Sequence, residues 1–246
     1  MSEWIKDRKK SYFYNMRKFN NSVKRILYNK YCCKKSVLDL ASGKGGDLNK
    51  LFLCNVKSVL GYDINEDSVK ESNKRLKEYP QDFQNKVKYY NKDLCKEIIL
   101  LSEPVDVVSC MFAFHYFIEN FDIIIKSINK NLKKEGYFIG CCFDGNLIKE
   151  RLNSPFLDNH FNIIKLNENE INVLLKETVL NDPEPEYLVD FSDLTEKMIH
   201  NGFKLIENKL FKDYYKDNFK MSETEKDVCF LNKTFVFKRC NPQKNE

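Results

Sequence analysis

The stretch S-V-L-D-L-A-S-G-K-G-G-D-L-N-K, residues 36 to 50, decides the fold. A short, β-rich apolar run (36 to 41) feeds a glycine turn, and a helical pattern starts at Gly45. Glycines there let a backbone come close to a ligand, and a helix N-terminus offers free N–H groups. The G-x-G spacing alone fits an ordinary turn just as well. Outward from this unit the alternation repeats: KSVLGYD (57 to 63) before a helix over 65 to 79, KVKYY (86 to 90) before KEIILL, VDVVSCMF (105 to 112) before 119 to 132, and GYFIGCCF (136 to 143) before 144 to 152. Five β-α units in succession predict an α/β chain with a parallel sheet covered by helices on both faces.

Upstream, Trp4, Phe13, Met16, Val23, Ile26 and Leu27 recur at helical intervals, so residues 1 to 35 are expected to form a helical cap. Downstream the pattern breaks. Residues 153 to 190 carry Pro155, Pro183 and Pro185 and two short alternating runs, which reads as a small hairpin lid. A helix over 191 to 201 ends at Gly202, and strands follow at 203 to 211 and 233 to 239. The whole of residues 1 to 246 is expected to be one domain.

Composition narrows the classes. With 42% hydrophobic, 13% aromatic and 31% charged residues, the chain can bury a sizeable core, which excludes disorder, collagen and coiled coil. No apolar run approaches the ~18 residues of a membrane span, and MSEWIKDRKK has no signal-peptide core, so an intracellular chain with no membrane partner is expected. Nine cysteines without a C-x-x-C spacing read as reduced core fillers, and His115, His160 and His200 are too scattered to ligate metal. The net charge of +5 rests on 35 Lys against 6 Arg beside 27 Asn, the bias of AT-rich codons, so charge alone does not announce a nucleic acid.

Position says more. A dinucleotide fingerprint would need a third glycine where Leu48 stands, and no P-loop Lys followed by Ser or Thr is present. Carboxylates fall at Asp39, at Asp63 ending the second strand, and at Asp93 after the third, each at a strand end or in the loop beyond it, where ligands of such sheets bind. Three acids suit a ligand that joins an adenosine to a positive charge, which describes S-adenosylmethionine. After the fourth strand comes Met111-Phe112-Ala113-Phe114-His115-Tyr116, aromatics beside a histidine able to stack on a base and bond its edge.

These residues resemble the messenger-RNA cap guanine-N7 methyltransferases, in RKFNNSVKRIL (17 to 27), VLDLASGKGGDLNK (37 to 50), YDINEDSVKESNKR (62 to 75), FAFHY (112 to 116), GYFIG (136 to 140) and EYLVDF (186 to 191). The resemblance implies a Rossmann-like class I methyltransferase fold with a mostly parallel seven-stranded sheet, and methyl transfer from S-adenosylmethionine to N7 of the 5′ cap guanosine. It implies donor contacts from Lys24, Asp39, Ala41, Gly43, Asp47, Asp63, Asp93, Met111 and Tyr116. Cap contacts would come from Asn20, Asn21, Lys44, Lys50, Arg75, Phe112, His115, Glu186 and Asn232, with His115, Tyr116 and Glu186 orienting the base and no residue acting as a general base. Capped RNA is the implied partner, a stimulatory subunit of a capping apparatus a further candidate, and the nucleus the implied compartment, or the cytoplasm for a viral chain. Where relatives carry a glycine, a glutamine, a proline and a tyrosine, this sequence has Ala41, Met111, Phe143 and Asn232, so restoring a tyrosine at 232 is expected to tighten cap binding. The alternatives are a methyltransferase for a small molecule or another RNA position, and a non-enzymatic cap-binding module.

Overall fold

The structure, a computed structural model, describes residues 11–153, 160–175 and 185–240. Residues before Ser11, including Trp4, and the lid prolines Pro155 and Pro183 lie outside them. Helix α1 (Tyr14–Tyr31) turns Met16, Phe19, Val23 and Leu27 inward at spacings of three and four. Then follow β1 (Ser36–Leu40), α2 (Leu48–Leu53), β2 (Ser58–Asp63), α3 (Glu66–Leu76), the one-turn α4 (Gln81–Gln84), β3 (Val87–Asn91), β4 (Val105–Met111), α5 (Phe121–Asn131), β5 (Leu132–Phe143) and α6 (Gly145–Arg151). After the lid strands β6 (Phe161–Lys165), β7 (Glu170–Leu175) and β8 (Pro185–Tyr187) come α7 (Phe191–His200), β9 (Phe203–Leu210), α8 (Glu223–Cys229) and β10 (Asn232–Arg239).

Seven strands form one sheet in the order β3-β2-β1-β4-β5-β10-β9; β1 to β5 run parallel, and β10 enters antiparallel between β5 and β9. Alternation along each strand feeds two layers. Leu38, Leu40, Val108, Phe138 and Phe235 pack under Ile124, Ile125 and Ile128 of α5. Val37, Val59, Val107 and Ile139 pack on the other face under Leu27, Leu51, Val69 and Leu76 from α1, α2 and α3. Local chemistry sets the helix ends: Asn65 caps α3 through Ser68 N–H, Glu66 and Asp67 occupy its first turn, and Lys74 and Arg75 its last. Gly202, at φ +85°, closes α7 as the sequence predicts.

Two expectations are corrected. KEIILL, residues 96 to 101, is no helix: the link from β3 to β4 contains neither helix nor strand. It crosses from the sheet edge over two strands, and α5 pins it extended: the Ile99 N–H donates to Ser127 Oγ (3.0 Å), and the Leu101 N–H to Asn131 Oδ1 (2.7 Å). Ile99 and Leu101 therefore pack into the core on the α5 side, while Ile98 and Leu100 stay exposed, an extended alternation rather than a helical stripe. The lid is more than a hairpin, since β8 adds a third strand to β6 and β7, pairing Ile171 with Glu186. Its inner residues Phe161, Ile163, Ile171 and Val173 join Phe19 and Val23 of α1 in a third apolar cluster.

Candidate active site

The carboxyl ends of β1, β2 and β4 meet at one edge of the sheet. After β1 the chain turns through Ala41 (φ +52°), Gly43 (φ +54°) and Gly45 (φ +68°), the left-handed region that costs a residue with a Cβ about 1–2 kcal/mol. Open space surrounds the missing Cβ of Gly43, so this turn offers a free backbone concavity. Asp63 holds its rim: one carboxylate oxygen accepts from Gly43 N–H (2.7 Å) and the other from Asn65 N–H (2.9 Å). Asp93, in the loop after β3, accepts from Cys95 N–H (2.9 Å) and pairs with Lys96 (3.2 Å).

Beneath the turn lies a buried charge network. Asp47 Oδ1 stands 2.6 Å from Lys24 Nζ and 2.8 Å from Lys50 Nζ, and Tyr28 OH donates to Oδ2 at 3.4 Å. Burial opposes its charge, but the two ammoniums prevail and hold its carboxyl at about 2. Lys50 also donates to Asn21 Oδ1 (2.7 Å) and is only 5% exposed, so the sequence-based picture of it as an open phosphate ligand is revised to a strut between α1 and α2. Asp39, expected to touch the donor, is buried instead between β1 and β4, where Ser109 Oγ donates to it at 2.6 Å; burial first and Asp47 second push it up to about 7.

At the end of β4, Phe112 takes φ +60° and its ring lies 5.8 Å from Lys24 Nζ. A 3₁₀ turn, Phe114–Phe117, then presents His115 and Tyr116. His115 Nε2 is 3.5 Å from Glu186 Oε2 on the lid; the two residues are 6% and 3% exposed, and neither ring nitrogen of His115 has a hydrogen-bond partner among the described residues. Burial drives His115 down to about 3, so a neutral imidazole faces Glu186. Tyr116 is exposed, and Met111 lies against Cys141 Sγ (3.8 Å).

The remaining expected residues scatter by degree. Lys44 is exposed and makes no ion pair among the described residues, beside Glu71 and Arg75; Arg75 Nε donates to Glu71 at 2.8 Å. Asn20 Oδ1 accepts from Cys229 Sγ at 2.9 Å. Asn232 is 4% exposed and donates to the Cys229 carbonyl (3.1 Å) at the start of β10 opposite Phe143, so a tyrosine there would lose that bond and have to displace buried neighbours. The expected gain from a tyrosine there is therefore withdrawn.

One contributor escapes sequence reading. Helix α1, which carries Asn20, Asn21 and Lys24, has no side-chain cap and no acid in its first turn. Glu225 of α8 supplies both, accepting from Met16 N–H at 2.8 Å across 209 residues while closing its own capping box with Ser222. The S-x-x-E pattern was visible in the sequence; its second partner was not.

The two shifted groups oppose each other in pH. Asp39, raised above its ordinary value of about 3.9, makes stability fall as pH rises from about 4 to 7; His115, lowered from about 6.5, makes it rise from about 3 to 6.5. Asp39→Asn should thus unmask a stability that climbs between pH 4.5 and 6.5, and His115→Gln one that declines, at up to ~1.4 kcal/mol per pH unit. Urea unfolding at the two pH values, with both variants parallel to wild type, would refute the assignment.

Sheet order, glycine turn and acids at the strand ends together define the class I S-adenosylmethionine-dependent methyltransferase fold. Solved structures share it: an S-adenosylmethionine-dependent methyltransferase from Mesorhizobium loti (TM-score 0.61, 13% identity, 83% of this chain and 91% of that one) and a glycopeptide N-methyltransferase complexed with S-adenosylmethionine (TM-score 0.60, 14% identity, 89% and 86%). Within that class, the chain belongs to the mRNA (guanine-N(7))-methyltransferase domain family, whose model matches residues 2–239. Relatives include the mRNA cap guanine-N(7) methyltransferases of Drosophila melanogaster (30% identity, 87% of this chain, 58% of the relative) and Eremothecium gossypii (28%, 81%, 54%). A "Probable mRNA-capping enzyme" of Acanthamoeba polyphaga mimivirus matches at 30% over 85% of this chain and 23% of its own length. The chain thus spans from under a quarter to somewhat over half of these relatives.

Proposed function

We propose that this chain methylates N7 of the guanosine that caps the 5′ end of RNA, with S-adenosylmethionine as the donor. The observation that carries the reading is the buried contact of a neutral His115, on the turn after β4, with Glu186 of the lid strand β8. A buried carboxylate accepts from the N1–H and N2 amino group that only guanine presents on that edge. The neutral imidazole has one donor and one acceptor nitrogen, neither in a hydrogen bond among the described residues, for the rest of the base.

The donor supplies a methyl carbon on a sulfonium. Asp63 and Asp93 would accept from ribose hydroxyls and the adenine amino group, the Gly43 turn would admit the backbone contact, and Lys24 would meet the carboxylate. Guanine N7 has a free lone pair, so a new N–C bond forms as the S–C bond breaks and no proton moves. Positive charge passes from sulfur to the purine, where the Glu186 carboxylate favours it. The chain's work is orientation, holding N7 in line with methyl and sulfur. Lys44 and Arg75 would neutralise the triphosphate bridge. The place of action is the nucleus, or the cytoplasm for a viral chain.

Labelled donor incubated with GpppA-capped and uncapped RNA, followed by nuclease digestion, tests the reading. Label appearing only as N7-methylguanosine from the capped RNA supports it; label at any other atom overturns it. Asp63→Ala, which strips a charged acceptor from the donor rim, should weaken donor binding about ten- to a hundredfold by calorimetry. Unchanged affinity would remove Asp63 from the donor site.

A further inference from the structure

A cleft of about 570 Å³ lies on the outer face of β2 and β3, and neither His115 nor Glu186 lines it. It exists because the link from β3 to β4 forms no helix, so this face of the sheet edge lacks the layer that covers its neighbours. Its floor is Leu60 and Tyr62 of β2 with Tyr90 of β3, and the two tyrosine rings stack with centroids 5.3 Å apart. Tyr90 remains 42% exposed and Leu100, on the wall, 73%. Lys57 and Lys88 stand exposed at its margin, and neither makes an ion pair among the described residues. Of its two carboxylates, Asp106 is neutralised by Lys133 (2.9 Å) and accepts from Ser36, which leaves Glu103 exposed at the rim.

We propose that this cleft binds the single-stranded body of the RNA, a few nucleotides beyond the capped end; this rests on the capped-RNA reading above. An aromatic platform flanked by free cations is the chemistry that holds single-stranded nucleic acid, bases stacking on the rings and phosphates meeting the ammoniums. The placement is consistent: Tyr62 adjoins Asp63 at the donor edge, and Lys57 precedes the opposite end of β2, about 20 Å along six residues at ~3.3 Å each. A strand leaving the site over the β2–β3 edge would therefore run down this face.

The test compares wild type with Lys57→Glu/Lys88→Glu and Tyr90→Ala, in two measurements. Fluorescence anisotropy with an uncapped, unstructured 20-nucleotide RNA should show salt-sensitive binding, weakened about tenfold in the charge-reversed variant and severalfold in Tyr90→Ala. Methyl transfer to a GpppA-capped 20-mer should show a KM about tenfold below that for the GpppA dinucleotide in wild type, and an equal KM in the variants, with GpppA kinetics unchanged throughout. RNA binding or a length advantage that survives all three substitutions overturns the proposal and leaves these lysines as ordinary surface. Failure to methylate GpppA at all would count against the cap reading, while the anisotropy result still decides the cleft.

Discussion

Alanine in place of Asp47 is expected to cost about 3–5 kcal/mol of stability, because it leaves the ammoniums of Lys24 and Lys50 buried without their shared carboxylate. The Asp47 and Lys24 side chains are only 12% and 13% exposed, so water screens the loss poorly. Asn at this position keeps the shape and loses the charge, and should be nearly as damaging. A compensating change separates charge from packing: Asp47→Ala/Lys50→Met removes one orphaned cation and should recover part of the loss. The carboxyl, held at about 2 against about 3.9 unfolded, contributes stability that is fully present above pH 4 and disappears as pH falls through 2. Urea titration at pH 7 gives the measurement, and a loss under 1 kcal/mol would mean that the network is ornamental.

The second large effect falls on Glu186, proposed above to hold the guanine. Glu186→Ala is expected to lower kcat/KM for capped RNA by about a hundredfold or more, since charge-assisted hydrogen bonds are worth about 1.5–3 kcal/mol each. Donor affinity should stay within a few-fold, because Glu186 reaches the site from the lid strand β8 whereas the donor rim is built on β1 and β2. Glu186→Gln should keep the lid packed yet still lose most activity. A parallel loss of donor binding would signify a folding defect, and full activity would place guanine elsewhere.

Local pattern made much of this legible. The succession of β-α units points to a parallel sheet, which β1 to β5 form, and Asp63 and Asp93 lie where the pattern puts them, at the end of β2 and in the loop after β3. Three readings turned on contacts that residue type alone does not show, some across about 30 residues and some within a single turn. KEIILL is apolar enough for a helix, but Ser127 and Asn131 hold it extended. Lys50 resembles a surface cation until Asp47 and Asn21 enclose it. Asn232 could be aligned with a tyrosine, though its amide is bound to Cys229.

The bond from Met16 to Glu225 also has a temporal meaning. The helix that bears Asn20, Asn21 and Lys24 is translated about 200 residues before the carboxylate that seats its leading turn. At ~5–20 residues per second that interval lasts tens of seconds or less, during which α1 has amphipathic character but no terminal anchor. Closing so distant a contact late is slow relative to local structure. The nascent chain will therefore carry the parallel strands β1 to β5 before it carries a working site, and donor or RNA cannot engage α1 in its final seat until α8 has left the ribosome.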